Sequence, residues 1–416
     1  MDERSGKQRP TNAAPALEFG DIDDPYPYLA AARQRGPVSM EWPLPLGPDT
    51  PLLEPTCAVL GYDEAVRVLR DAETYSSRGL NEIMGPLFAD TIIAMDEPEH
   101  RVHRALVAPA FRPKVLERWQ QSLVRTVIDE IIDSFISEDA VDLVERLTFA
   151  FPVRVIARIL GLPEGDAPRF QRWSIDLINI FNDRDSGLRS LDELHSYLTE
   201  LIAERRRAPQ DDLISDLITS EVDGTRLDDD EIFAFVRLLL PAGVETTYRS
   251  LGNLLVGLLT HRDHWGALQR DRSLVAAAIE EGLRWQTPFL MVARRTTRHT
   301  ELADVPIPHD SPVFVFVASA NRDERRYLHP DEFDIARAAS PHVSFGSGPH
   351  MCLGMHLTRV ESRVALEAML DRLPHIRLDP DVSSPQIRGT VLRSPDAVNV
   401  VLHGHQATAR SAVRAR

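Results

Sequence analysis

Cys352 stands in the glycine-rich stretch Phe345-Gly-Ser-Gly-Pro-His-Met-Cys-Leu-Gly354, and the amphipathic run from Met355 to Leu373 predicts a helix directly behind it. A sulfur near a helix N-terminus meets positive partial charge and unpaired N–H groups. Both favour the thiolate, which can ligate a metal. Gly346, Gly348 and Gly354 let backbone pass close to a large flat partner and aim amides at the sulfur, while Phe345 can shield it from water. A lone cysteine beside a turn is also commonly a buried structural residue. The loop's chemistry leaves both readings open.

A second candidate is Leu239-Leu-Pro-Ala-Gly-Val-Glu-Thr-Thr247, inside an apolar stretch that predicts a helix from about Asp229 to Thr260. Pro241 removes one backbone hydrogen bond and Gly243 weakens the next turn, so the helix should be distorted there. A buried acid beside a hydroxyl can relay protons, and an opened turn can hold water. Equally, Thr246 could bond back to its own helix and Glu245 could lie at a wet surface. Asp96-Glu-Pro-Glu-His100-Arg-Val-His-Arg104 places His100 and Arg104 four apart on one face of a helix that Pro98 would start. Glu281 and Arg284 are three apart, a spacing that permits an ion pair.

These segments must be positioned by a chain of 416 residues, longer than a usual single domain, with an ordinary hydrophobic content of 43%. Residues 1–20 lack periodicity and predict a mobile tail. From Glu97 to about Thr260 apolar residues recur at helical spacing, for example Val124, Val127, Ile128, Ile131 and Ile132. Strand-like text returns late, at Pro312-Val-Phe-Val-Phe-Val and Ala397-Val-Asn-Val-Val-Leu. The pattern predicts a mainly α (α+β) architecture without alternating βα units, with residues 21–416 as one domain. A formal net charge of −16 argues against nucleic-acid binding. The charged N-terminus and the lack of a run of roughly 18 apolar residues predict a cytoplasmic protein without a membrane span. Cys57 and Cys352, the only cysteines, give no disulfide framework.

The cysteine loop resembles the haem-binding loop of the cytochrome P-450 family, Phe-x-x-Gly-x-x-x-Cys-x-Gly, at every fixed position. The other segments follow in that family's order, from about Asp24 to Leu402. The resemblance implies a helical body with small sheets around haem b (iron protoporphyrin IX) ligated by Cys352. It implies propionate contacts from His100, Arg104, Arg294 and His350, and a structural lock by Glu281 and Arg284. Glu245 and Thr246 match the family's acid-threonine motif, which implies proton delivery during oxygen activation. Pro241 and His299 depart from common family residues and remove no catalytic group.

The implied activity is that of a soluble bacterial monooxygenase, a monomer using dioxygen, with electrons from a separate ferredoxin and ferredoxin reductase. Arg101, His103, Arg112 and Lys114 could steer an acidic ferredoxin or form a solvated helix face. A peroxide-driven member of the same fold and a non-catalytic haem sensor are the competing readings. The loop containing Met84, Leu87 and Phe88, the helix residues Leu238 and Ala242, and Leu290 and Val292 correspond to substrate-pocket regions in similar enzymes. They are mostly apolar, which points to a lipophilic terpenoid, steroid or polyketide-like substrate.

Overall fold

The computed structural model describes residues 22–45, 56–79, 91–178, 180, 183–338 and 340–403. The expected tail at 1–20 and the pocket candidates Met84, Leu87 and Phe88 lie outside them. Helices dominate from Glu99 to Trp285 and return at Met355–Arg372. Their apolar faces build one large core that includes Val127, Ile128, Ile131, Leu254, Leu258 and Leu366. The periodic residues of the 125–133 stretch are thus buried on the side that faces the other helices.

The helix predicted from Asp229 to Thr260 runs as Asp229–Leu239, a π-turn over Leu240–Glu245, and Thr246–Thr260. Its start is fixed by a capping box: the Asp228 side chain accepts from Glu231 N, and the Glu231 side chain accepts from Asp228 N. Such a cap satisfies two otherwise unpaired donors. The π-turn coincides with Pro241 and Gly243, where the ordinary ladder cannot be kept.

Strands Val38–Ser39, Cys57–Val59, Pro312–Val315, Val292–Thr296 and Tyr75–Ser76 form, in that spatial order, a five-stranded sheet. Only the Cys57–Val59 and Pro312–Val315 pair is parallel. This sheet carries a core of its own, with Cys57, Val59, Val313, Val315 and Val343. Its other face buries Leu29, Ala58, Leu290, Phe314 and Phe316. The cysteine loop lies between these bodies, because Val343 packs into the sheet's core whereas Phe345 and Leu353 pack against the helical one. Among the described residues no helix is long and apolar enough to cross a membrane.

Candidate active site

The cysteine loop is held by backbone and side-chain bonds at both ends. Asn321 accepts from Val343 N at 2.8 Å and donates to Ser344 Oγ at 2.8 Å, and Ser344 Oγ donates to Leu283 O. Cys352 N donates to Phe345 O at 2.8 Å, closing the loop on itself. Gly348 has φ 75°, and a Cβ there would lie 2.5 Å from Leu69 O, so only glycine fits this turn against helix Tyr62–Arg70. Gly346 also has positive φ. Gly354 does not, and the Cβ of an added side chain would stand 4.0 Å from the Cys352 sulfur.

Cys352 lies just before helix Met355–Arg372. Its side chain is solvent-accessible, yet protein surrounds the sulfur closely enough for desolvation to raise the thiol's pKa. The two observations agree if the sulfur opens onto a concave surface. The amides of Gly354 and Met355 and the charges of Arg104 and Arg359 oppose the rise. Arg359 lies over the Phe345 ring at 4.7 Å and is fixed by Glu280 at 2.7 Å.

His100, Arg104, Arg294 and His350 converge beside this loop. The His100 and His350 rings stand 3.9 Å apart. Burial, with help from His100, Arg294 and Arg104, lowers the pKa of His350 to about 3. Arg294 is buried, and its guanidinium donates to the neighbouring Ala293 O; burial lowers its pKa to about 10, against the pull of Asp96. Arg104 donates to Met351 O at 2.5 Å. The His100 Nδ1 faces Glu97 Oε1 at 3.2 Å, whereas its buried Nε2 has no partner. Among the described residues, Arg104 and Arg294 have no carboxylate within ion-pair distance. Buried donors without acceptors and like charges without compensation are costly. A flat group bearing two carboxylates, as haem does, would satisfy them, so the residues present fit that cofactor.

On the π-turned helix, Ala242 is exposed and Thr246 is half-buried while most neighbours are buried, so these two mark its open side. The Thr246 hydroxyl donates to Ala242 O at 2.6 Å. Glu245 points elsewhere. It is buried and accepts from Arg249 Nη2 at 2.6 Å, and Arg249 also donates to Ser394 Oγ at 2.8 Å. Burial raises the Glu245 pKa, and the Arg249 charge opposes this. The acid and the hydroxyl are neighbours in sequence with separate partners.

Glu281 and Arg284 form a buried bidentate pair at 2.7 and 2.8 Å. Arg284 donates to the carbonyls of Asn321, Pro330 and Glu332, and Arg337 joins through Glu281. The lock therefore acts on the 321–337 segment, and Asn321 passes it to the cysteine loop. Of the pocket candidates, Leu290 is fully buried in the sheet's core and Leu238 is buried in the helical core. Val292 is half-buried. His103 leaves the proposed basic cluster, because its Nε2 pairs with Glu231 at 2.8 Å. Arg249 was missed, although its place four residues after Glu245 is an ion-pair spacing.

The cytochrome P450 family model matches residues 52–400. The chain is 40% identical over 336 residues to the erythromycin C-12 hydroxylase of Saccharopolyspora erythraea, covering 78% of this chain and 83% of that one. It is 32% identical over 406 residues to the cytochrome P450 monooxygenase PikC of Streptomyces venezuelae, covering 93% and 95%. The crystal structure of CYP109E1 from Bacillus megaterium in complex with testosterone superposes with a TM-score of 0.83 at 29% identity, covering 92% of this chain and 100% of that one. With the cysteine loop, the cationic cluster and the interrupted helix all in place, the chain belongs to the cytochrome P450 family and is a monooxygenase.

Proposed function

We propose that this oxidoreductase inserts one atom of dioxygen into a lipophilic small molecule of the macrolide, steroid or terpenoid kind. Cys352 would ligate the iron of haem b, and His100, Arg104, Arg294 and His350 would hold its propionates. When bound, the haem supplies the oxidising chemistry, to which the thiolate lends electron density. The unpartnered His100 Nε2 beside two arginines without carboxylate partners is the observation that carries this reading.

The chain's own residues then supply position and protons. The amides of Gly354 and Met355 and the charge of Arg359, which lies over the Phe345 ring, favour the thiolate. Thr246, with its hydroxyl parked on the Ala242 carbonyl of the π-turn, can release that bond and donate toward the open side. Glu245 can exchange protons with this turn only by breaking from Arg249. Ala242 and Val292 would meet the substrate. The lipophilic class rests on the named substrates of relatives: erythromycin C-12 hydroxylation for one and bound testosterone for another.

No flavin or iron-sulfur segment is recognisable in the sequence, so electrons are assigned to a separate ferredoxin and its reductase. The test is a panel of macrolides, steroids and terpenoids added to the purified ferric protein. At least one should shift the Soret band and, with ferredoxin, reductase and labelled dioxygen, yield a product carrying one labelled oxygen. Product formed with peroxide while dioxygen and donor give none would replace this reading with a peroxide-driven one.

A further inference from the structure

Helix Glu99–Val107 carries His100 and Arg104, and between them His103 turns toward a different neighbour. Its Nδ1 lies 3.1 Å from Glu99 O and its Nε2 lies 2.8 Å from Glu231 Oε1. A carbonyl and a carboxylate can only accept. Both ring nitrogens must therefore donate, and only the doubly protonated imidazolium satisfies both contacts. The other Glu231 oxygen accepts from Asp228 N in the capping box that starts the Asp229–Leu239 helix. Among the described residues, no other hydrogen bond joins helix Glu99–Val107 to the helix that leads through the π-turn to Thr246.

We propose that His103, as an imidazolium, is a positioning residue that clamps the propionate-binding helix to the capped start of the helix bearing Glu245 and Thr246. The proposal rests on the reading of His100 and Arg104 given above. Few titratable groups face the ring. From its own helix comes Glu99, whose carboxylate pairs with Arg78, and from across comes Glu231. The remaining neighbours around the adjoining cleft include Thr91, Met95, Val107, Leu227 and Phe235, none of which titrates near neutrality. His100 and Arg104 engage His350 and Met351 instead.

Burial alone would lower the His103 pKa, but the Glu99 carbonyl, the Glu231 carboxylate and the charges of both acids outweigh it and raise the value above its ordinary 6.5. A raised folded value means that the clamp is fully present below about pH 6.5 and is lost as pH rises through the folded pKa. Haem retention should follow the same course.

The experiment measures haem transfer from the holoprotein to excess apomyoglobin, together with 15N resonances of the His103 ring. In the wild type the ring should still be mostly doubly protonated at about pH 6.5, and transfer should quicken about threefold or more between about pH 6.5 and about pH 9. His103→Gln should transfer quickly at both pH values, and Glu231→Gln should also lose the pH dependence. His103→Arg, a permanent cation, should restore slow transfer at both. A ring mostly neutral at about pH 6.5, or an unchanged pH profile in His103→Gln, would overturn the clamp. A chain that takes up no haem would refute the functional reading instead, and the ring resonances of that protein would still decide the protonation state.

Discussion

At the scale of single residues, the site is a set of charges with unequal compensation. The Glu245–Arg249 pair is closed within the core, whereas His100 Nε2 is buried without a partner and, among the described residues, Arg104 and Arg294 have no carboxylate within ion-pair distance. Arg249→Leu leaves a buried carboxylate without its counter-charge, which should cost about 3–5 kcal/mol in urea unfolding, and the double variant with Glu245→Leu should recover much of it. Equal stability of wild type and Arg249→Leu would show that the pair is not buried in solution. Thr246→Ala removes the hydroxyl on the open side of the π-turn. It should retain haem and substrate binding while diverting reduced oxygen to hydrogen peroxide, read as less product and more peroxide per NAD(P)H consumed. Wild-type coupling in that variant would make Thr246 a helix residue only. The acid-threonine pair was legible in the sequence, and so was the distortion that Pro241 and Gly243 impose. That the two side chains take separate partners was not, because burial on a helix depends on what packs against each face.

At the scale of elements, the cysteine loop depends on helices distant in sequence. Glu280, on helix Val275–Trp285, joins Arg359 behind Cys352 and His342 before the loop. Burial would raise its pKa, but Arg359 and His342 outweigh burial and hold it at about 2. A depressed folded value contributes stability above the ordinary value of 4.5, and that contribution is lost as pH falls toward about 2. Glu280 is 42% exposed, so solvent screening limits the contribution to about 1 kcal/mol. Glu280→Gln should therefore melt below the wild type at pH 7, and the difference should shrink as the pH is lowered through that window. A difference that does not change with pH would exclude this pairing. The loop's own residues and the Glu281–Arg284 spacing could be read in the sequence. The Asn321 grip and the His103–Glu231 contact could not, since local spacing carries no information about partners 22 and 128 residues away.

At the scale of the whole molecule, the cysteine loop lies where the helical core and the sheet's core meet. The same boundary explains why fold class was legible while the pocket was not. Helical periodicity between 97 and 260 and the late strands predicted the layers, but apolar residues such as Leu238 and Leu290 look alike whether they line an opening or fill a core. The meeting of the two cores and the convergence of His100, Arg104, Arg294 and His350 beside the cysteine loop fit a haem held at Cys352. The most direct measurement is the spectrum of the reduced protein under carbon monoxide. The wild type should show the strongly red-shifted Soret band of thiolate ligation, and Cys352→Ala should lose it. A wild-type adduct without that band, or a Cys352→Ala spectrum unchanged from it, would contradict the assignment of Cys352 as the haem ligand.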